Sequence, residues 1–252
     1  MTKCALVTAL VVAALVACLP AFAETPIFSD DFENGYGEWT IYPGSPTCTA
    51  PRLVSTTDDA KCNHTQDGSY GLAMSSSAER VYHDVDLSTL PNCSVKFKLW
   101  FYDTMDFRRY GFDSFDIRST TSDQVLGLGT YYSSRVYRYR TLRFANGETR
   151  TEWVNTPIAR SLGWHLLEID QYRGPEAGKV EFLIDGKLAR RATGVYDTTL
   201  DRIVLGLGFS GLERQDGYVD DVSYSLVPEP DSTLALTGGL LGFVGLVRRR
   251  RA

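Results

Sequence analysis

Apolar and polar residues alternate along several short segments of the chain, and this alternation predicts β-strands. In the clearest case, the odd-numbered positions of 95–101 are all apolar, whereas Lys96 and Lys98 lie between them. Similar runs rich in Val, Ile, Tyr, Phe and Thr recur every 8 to 15 residues, and no stretch keeps the 3.6-residue period of a helix. The predicted strands cover 71–77, 80–86, 94–102, 114–119, 124–132, 164–171, 202–209 and 218–226.

Two pairs of apolar runs are separated by dipeptides that favour tight turns. Segments 135–144 and 149–154 flank Asn146-Gly147, and segments 179–184 and 187–192 flank Asp185-Gly186. Both dipeptides tolerate the positive φ angles of a two-residue hairpin turn. With these hairpins, the chain holds about a dozen strands and no predicted helix, which indicates an all-β domain of two packed sheets.

Three blocks follow one another at the C-terminal end, residues 227–252. An apolar run at 234–247 lies between a proline-containing motif and a basic terminus. Fourteen helical residues rise about 21 Å, less than the roughly 30 Å hydrocarbon core, so we expect a transient membrane anchor. The terminal arginines would hold its end on the cytoplasmic side. The flanking blocks consist of Val227, Pro228, Glu229 and Pro230, and of Arg248, Arg249, Arg250 and Arg251.

This order of blocks resembles the PEP-CTERM sorting signal of Gram-negative bacteria, which a membrane protease of the exosortase type reads. The resemblance implies an exosortase-type protease as a partner and transient contact with the inner membrane through a C-terminal helix. The protein would then reach the cell surface or the extracellular space. An ordinary C-terminal membrane anchor is the alternative interpretation.

The N-terminal end predicts export as well. Residues 4–19 are almost wholly apolar, and Ala21-Phe22-Ala23 has the small-x-small pattern of a signal-peptidase site. The predicted organisation is therefore a signal peptide at 1–23, a domain at 24–226 and the sorting signal at 227–252. Cleavage before a lipidated Cys18 is the alternative.

The charge of the central domain limits its partners. Residues 24–226 contain 21 Lys and Arg against 29 Asp and Glu, a net charge of about −8. This balance argues against nucleic acid or an anionic lipid surface as the main partner. It is compatible with neutral glycans or with cations.

Three cysteines remain after removal of the signal peptide, and export would place them in an oxidising compartment. A disulfide between Cys48 and Cys62 is predicted because it would close a short loop rich in Pro and Asp. Pairing of Cys62 with Cys93 stays open, and either choice leaves one thiol.

Several segments resemble those of laminin-G and related concanavalin-like jelly rolls. Residues 163–169 and 180–188, which carry Trp164-His165 and Asp185-Gly186, match a pair of segments in those domains. Residues 30–39, 67–72 and 218–222 resemble the opening, middle and closing segments of calcium-carrying carbohydrate-binding sandwiches. The resemblance implies an antiparallel jelly-roll sandwich in which the first and last strands meet. It also implies a structural Ca²⁺ held by Glu33, Asp67, Gly68, Asp220 and Asp221.

Oxygen ligands of this kind suit a hard cation. The alternative is that these acidic residues are solvated caps at strand ends.

The segment Glu168-Ile169-Asp170 resembles the start of the catalytic strand of laminarinase-type glycoside hydrolases. Those enzymes use a second Glu four or five residues later, where this chain has Tyr172 and Arg173. A retaining mechanism needs two carboxyl groups about 5 Å apart, and no Gly-x-Ser-x-Gly motif is present. The protein is therefore predicted not to be an enzyme. We expect Leu167 and Ile169 in the core and the carboxylates of this strand in water.

Recognition of a glycan remains as the main functional hypothesis. Tyrosines and arginines cluster at 131–140, and aromatic faces stack on sugar rings while arginines hydrogen-bond hydroxyl groups. The predicted ligand-binding residues are Tyr131, Tyr137, Tyr139 and Arg138. Plain packing of Tyr and Arg across a half-exposed sheet is the alternative.

The predicted function is thus a non-catalytic surface or matrix protein that associates with polysaccharide. A structural or adhesive protein without a small ligand and a degenerate glycosidase are the alternatives.

Overall fold

The structure, a computed structural model, describes residues 24–41, 51–65, 68–74, 79–86, 94–105, 113–121, 124–131, 134–142, 153–173, 176–193, 200–207 and 217–227. The signal peptide predicted at 1–23 and all but the first residue of the tail predicted at 227–252 lie outside these ranges. Residues Pro26–Glu229 form one compact unit. No helix within the described ranges is long and apolar enough to cross a membrane.

The described residues form fifteen strands. In chain order they are β1 (Thr25–Asp30), β2 (Thr40–Ile41), β3 (Arg52–Ser55), β4 (Tyr70–Met74), β5 (Arg80–Asp84), β6 (Ser94–Asp103), β7 (Asp113–Arg118), β8 (Val125–Gly129), β9 (Val136–Leu142), β10 (Val154–Ala159), β11 (Gly163–Gln171), β12 (Val180–Ile184), β13 (Lys187–Ala192), β14 (Arg202–Leu207) and β15 (Gly217–Val227).

These strands make two sheets, as the alternation predicted. The eight-stranded sheet has the order β13-β12-β11-β6-β15-β4-β3, with β1 also paired to β15. The seven-stranded sheet has the order β10-β9-β8-β7-β14-β5-β2. Registers are antiparallel, for example between β6 and β11 and between β7 and β14. The prediction of an all-β domain with two antiparallel sheets is confirmed.

The chain passes from one sheet to the other at several points. β14 inserts between β5 and β7, and β15 then inserts between β4 and β6 of the opposite sheet. Because β1 pairs with β15, the first and last described strands meet, as the resemblance implied. Two late strands thus complete both sheets, which makes the fold depend on contacts that are distant in sequence.

Both predicted hairpins pair antiparallel, but the strand predicted at 149–154 is observed at Val154–Ala159. β12 and β13 are joined at Asp185 and Gly186, whose φ angles are 51° and 70°, and Ile184 pairs with Lys187. In the other pair, Tyr139 faces Val154, so seven positions separate each residue from Asn146-Gly147. That turn lies outside the described residues, and the second strand begins at Val154.

The core lies between the sheets and uses one face of each strand. β6 contributes Val95, Phe97, Leu99 and Phe101 to it, and the inward residues of β11 include Leu167 and Ile169, as predicted. The inward residues of the seven-stranded sheet include Ile117, Leu126, Leu128, Tyr137, Tyr139, Ile203 and Leu205.

A buried ion pair joins the two sheets. Arg160, directly after β10, donates from Nε and Nη2 to the two carboxylate oxygens of Asp103 at the end of β6, over 2.7 and 2.6 Å. Both side chains are fully buried. Arg160 also donates to the Ser134 carbonyl at 3.3 Å. The pair therefore links β6 of one sheet to the segments around β9 and β10 of the other.

The disulfide prediction is wrong in this structure. Cys62 is a buried free thiol whose Sγ donates to the Val54 carbonyl oxygen over 3.0 Å. Neither pairing of Cys62 is therefore formed, and its proposed partners Cys48 and Cys93 lie outside the described residues. Burial, with nearby carboxylates, raises the pKa of the Cys62 thiol to about 11, so the group is neutral near pH 7.

Candidate functional site

The β3–β4 loop brings together most of the residues predicted to bind calcium. Glu33 lies on one side of this loop, where its Oε1 accepts hydrogen bonds from Asn63 Nδ2 at 2.9 Å, Ser69 N at 2.8 Å and Tyr70 N at 2.9 Å. Gly68 leaves room for this contact, since a Cβ there would lie 2.7 Å from Glu33 Oε1. Asp67 lies outside the described residues.

Asp220 anchors the same loop from β15. Its side chain is fully buried, and Oδ2 accepts hydrogen bonds from the backbone N–H groups of His64 at 2.7 Å and Thr65 at 3.1 Å. Oδ1 accepts the N–H of Asp221 at 2.9 Å. Burial raises the pKa of Asp220 to about 6, although these hydrogen bonds act in the opposite direction.

Asp221 reaches the loop as well because the strand is irregular at this point. A β-bulge lies between Asp220 and Ser223, and Asp221 has a left-handed φ of 48°. Its Oδ1 accepts from Thr65 Oγ1 at 2.8 Å, and its Oδ2 lies 2.7 Å from His64 Nδ1. The bulge thus lets two consecutive aspartates face one loop, which strict alternation would prevent.

The calcium prediction meets both favourable and unfavourable observations. Glu33, Gly68, Asp220 and Asp221 all contact one loop, and their oxygens are the donors that calcium prefers. The described oxygens, however, accept hydrogen bonds that a cation would have to replace. Among the described residues, no group of three or more His, Cys, Asp or Glu side chains could hold a metal ion. Calcium binding stays a prediction.

The outer face of the eight-stranded sheet carries an aromatic cluster beside this loop. His64 stacks on Trp100 with ring centroids 3.8 Å apart, and Trp164 meets both His64 and Tyr102 edge-on at 5.4 and 5.5 Å. Tyr218 lies next to Tyr102 at 6.0 Å. Because these rings pack mainly against one another, the cluster fastens the loop to the sheet.

Glu168 lies on the same face, in a network of ion pairs. Its carboxylate is 3.7 Å from Lys96 Nζ and 3.8 Å from Lys98 Nζ, and Asp170 is 3.7 Å from Lys96. Glu168 is only 8% exposed. The expectation that the carboxylates of β11 lie in water is therefore corrected, because cross-strand lysines neutralise and cover them.

Ser161, His165 and Asp185 make contacts in the order of a serine-hydrolase triad. Ser161 Oγ is 3.1 Å from His165 Nε2, and His165 Nδ1 is 2.8 Å from Asp185 Oδ2. Nε2 also lies 2.8 Å from the Ser161 carbonyl oxygen, so the hydroxyl and the carbonyl of Ser161 share this nitrogen. These contacts fasten the β12–β13 turn to β11.

Two of the four residues predicted to bind a glycan point into the core. Tyr137 is fully buried and Tyr139 is 8% exposed. Tyr139 packs against Phe182 of the opposite sheet, with ring centroids 5.1 Å apart. Their assignment as sugar-stacking residues is corrected, because β9 is turned so that its tyrosines face inward and its arginines face outward.

The outer face of the seven-stranded sheet carries the other two predicted residues, together with Arg140 of the same cluster and Trp153, which the sequence did not indicate. Arg138 lies over the ring of Tyr131 at 4.9 Å, Tyr131 stacks on Trp153 at 5.7 Å, and Arg140 lies over Trp153 at 4.9 Å. We call this row, residues 131, 138, 140 and 153, the arginine–aromatic row. It places aromatic rings and guanidinium groups side by side, and Arg140, at 3% exposure, is its buried end.

Asp116 is the acidic centre of this face. It is fully buried and pairs with Arg118 Nη2 at 2.8 Å and with Arg140 Nη2. Burial acts to raise the pKa of Asp116, but the charges of Arg140 and Arg118 outweigh it and hold the pKa below its ordinary value. Gly127 leaves space for this contact, since a Cβ there would lie 2.5 Å from Asp116 Oδ1.

Comparisons with known proteins show a similarity in fold. No family model matches the chain, and no curated protein matches it. The solved structure of the cellulose-induced protein Cip1 is 15% identical over 80% of this chain and 98% of its own, with a TM-score of 0.51. The T. cruzi calreticulin globular domain is 12% identical over 88% of this chain and 95% of its own, with a TM-score of 0.50.

A third similar structure is the binding domain of botulinum neurotoxin serotype D. It is 12% identical over 84% of this chain, with a TM-score of 0.53. This chain spans about half of that domain, or 50% of its length. At such identities the similarity concerns the fold alone, a sandwich of two antiparallel sheets that this chain shares with all three proteins.

Proposed function

We propose that residues 24–226 form an exported, non-catalytic jelly-roll domain that associates with polysaccharide through the outer face of the seven-stranded sheet. The observation that carries this proposal is the arginine–aromatic row, where Tyr131 and Trp153 stack on each other between two guanidinium groups. Aromatic faces pack against the C–H faces of sugar rings, and arginines donate hydrogen bonds to their oxygens. The names of Cip1, a cellulose-induced protein, and of the neurotoxin binding domain agree with this class of function.

The contacts of the candidate catalytic groups support a non-catalytic role. The carboxylate of Glu168 forms ion pairs with Lys96 and Lys98, and Nε2 of His165 contacts the Ser161 carbonyl oxygen. Neither group is poised to transfer a proton. The strand order, in which β14 and β15 insert between earlier strands, supports a jelly roll of the concanavalin type.

Trp153→Ala should weaken glycan binding roughly tenfold or more, because the variant removes the aromatic face at the centre of the row. A glycan array first identifies a ligand for the purified exported protein, and isothermal titration then compares the variants. Trp164→Ala is the matched control, since Trp164 lies in the aromatic cluster of the other sheet. We expect its affinity to stay within about twofold of the wild type.

Two outcomes would contradict this placement. Loss of binding in Trp164→Ala alone would move the site to the eight-stranded sheet. If no glycan on the array binds, the structural or adhesive function without a small ligand replaces the proposal.

The second part of the proposal concerns export and sorting. β15 ends at Val227, which is also the first residue of the predicted motif. We expect mass spectrometry of the exported protein to show an N-terminus at Glu24 and loss of the arginine block, after cleavage near Pro230 by an exosortase-type protease. An intact C-terminus on the mature protein would favour an ordinary membrane anchor. A lipidated Cys18 would favour the lipoprotein alternative.

The third part of the proposal is a bound calcium ion. We propose that a cation would be held by Glu33, Asp220 and Asp221 with Asp67 and Gly68 of the β3–β4 loop, where it would supply positive charge to the acidic pair on β15. Added calcium should raise the thermal midpoint of the wild type, and a chelator should reverse the shift. An Asp220→Asn variant should lose the response. An unchanged midpoint in the wild type would reject the site.

A further inference from the structure

The outer face of the seven-stranded sheet carries more arginine than acid, in a domain whose overall charge is negative. Outward positions on β5, β7, β8, β9 and β14 include two carboxylates, Asp84 and Asp116. The same positions include five guanidinium groups, which belong to Arg80, Arg118, Arg138, Arg140 and Arg202. Folding has therefore gathered positive charge on one sheet face, which the net charge of the sequence conceals.

The two carboxylates at these strand positions pair with three of the five arginines. Asp84 is held by Arg202 through Nε at 2.5 Å and Nη2 at 2.8 Å. Asp116 faces both Arg118 and Arg140. One acid is therefore matched by one arginine, and the other is shared by two.

Arg138 differs from these arginines in its partner. Among the described residues its contact is the ring of Tyr131, which carries no negative charge. Its Nε is buried and has no hydrogen-bond acceptor among the described residues. The Arg138 side chain as a whole is only partly buried, so a carboxylate can pair with its guanidinium group and supply the missing negative charge.

Glycines let the arginine side chains lie close to the sheet. Arg140 crosses Gly127, where an added Cβ would lie 2.9 Å from Arg140 Cγ. Arg80 crosses Gly206 in the same way, at 2.6 Å. Gly129 pairs with Arg138 on β9, and Gly206 pairs with Arg80 on β5. These two arginines therefore border a strip that contains glycines and runs across β9, β8, β7, β14 and β5. Four strand spacings make this strip roughly 19 Å wide, enough for several sugar units.

We infer that the polysaccharide bound by this face is carboxylated, that is, rich in uronic acids. The inference rests on the proposed function, since it names the sugar class for the same site. A uronate carboxylate matches the fork of a guanidinium in two parallel hydrogen bonds, and Tyr131 and Trp153 offer faces for the sugar rings. Arg138 is the residue that meets the carboxylate.

Binding of polygalacturonate and alginate is compared with binding of methyl-esterified polygalacturonate, cello-oligosaccharides and dextran sulfate, by titration of the purified exported protein. We expect at least one of the two uronate polymers to bind, and methyl-esterified polygalacturonate and the cello-oligosaccharides to bind at least roughly tenfold more weakly, because they lack the charge. Raising the salt concentration should weaken the uronate complex. Dextran sulfate should bind more weakly than the uronate polymer.

Three results would overturn the inference. If the ester or a neutral glycan binds as tightly as the uronate polymer, the proposed function stands, but the inference that the ligand is anionic is rejected. Equal or tighter binding of dextran sulfate would show that any polyanion suffices. If none of the five glycans binds, and the array is empty as well, both the inference and the proposed function fail.

Arg138→Gln tests the assigned residue. This variant should bind the uronate polymer roughly tenfold more weakly, and it should lose most of the preference for polygalacturonate over its methyl ester. Arg52→Gln on β3 of the other sheet removes the same charge from an exposed position and is the control. Thermal unfolding of both variants verifies that they are folded. Equal uronate affinity in Arg138→Gln and Arg52→Gln would contradict the role of Arg138.

Discussion

Replacing Arg160 with methionine should lower the free energy of unfolding by about 3–5 kcal/mol. The substitution leaves the carboxylate of Asp103 buried between the sheets without its guanidinium partner. The carboxylate would keep the N–H of Met105, which donates to Oδ1 over 2.8 Å. One neutral hydrogen bond does not replace a bidentate ion pair in a buried site.

Urea unfolding of the purified protein, followed by tryptophan fluorescence, measures this loss. Arg52→Met is the matched control, because Arg52 is exposed on β3 and its replacement should change stability by less than about 0.5 kcal/mol. The double variant Arg160→Met/Asp103→Leu should recover part of the loss, since it removes both charges. A single variant within about 1 kcal/mol of the wild type would mean that the pair does not hold the sheets together.

The strands could be predicted because their apolar residues share one phase. On β6, residues 95, 97, 99 and 101 are apolar and all four are in the core. The β12–β13 turn was predictable for a local reason too, because Asp185 and Gly186 adopt the left-handed φ angles that this dipeptide tolerates. Local patterns therefore carried most of the all-β assignment.

The phase of β9 could not be predicted in the same way. Its sequence Val136-Tyr-Arg-Tyr-Arg alternates between two residue types that are both amphipathic, so either face could turn inward. The neighbouring strand decides the phase. Arg138 and Arg140 pair with Gly129 and Gly127, whereas Tyr139 pairs with the core residue Leu128. That register is a tertiary property, and without it the tyrosines were assigned to the wrong face.

The arginine–aromatic row was hidden for a related reason. Trp153 and Tyr131 are 22 positions apart in sequence, and Asp116 is 24 positions from Arg140. The register of β7, β8 and β9 brings these residues together. Net charge was misleading as well, because it averages over both sheets and conceals the arginines that share one face.

The β3–β4 loop shows the reverse situation. Resemblance to calcium-carrying sandwiches brought Glu33, Gly68 and the aspartates of β15 into one hypothesis, and the structure places them at one loop. The loop residues that contact the acids, Asn63, His64 and Thr65, were not predicted. His64 and Thr65 donate to Asp220 from their backbone N–H groups, and backbone contacts leave little trace in the side-chain sequence.

Replacing Asp220 with alanine should lower the free energy of unfolding by about 3 kcal/mol or more. The carboxylate accepts the N–H groups of His64, Thr65 and Asp221, and its removal would leave these donors without an acceptor beneath the loop. Asp221→Ala is the matched control, since Asp221 is partly exposed and its contacts are made by side chains. We expect that control to lose about 1 kcal/mol in the same urea experiment.

Asp220→Asn separates the charge of this group from its shape. Burial raises the folded-state pKa of Asp220 to about 6, above its value of 3.8 in an unfolded chain. Between these two pH values the folded protein holds a proton that the unfolded chain has released. The contribution of Asp220 to the free energy of unfolding is therefore complete below pH 4 and is lost as the pH rises to 6. The wild type should therefore lose stability relative to Asp220→Asn over that interval.

Urea unfolding of both proteins at pH 4, 5, 6 and 7 in the presence of a chelator measures the difference. Titrating groups that do not interact with Asp220 contribute equally to both proteins, so their contributions cancel in the comparison. A constant difference would show that Asp220 is ionised in the folded state throughout, held charged by the three N–H groups. The same series with calcium tests the cation directly, since a bound cation stabilises the carboxylate and should abolish the fall in stability above pH 4.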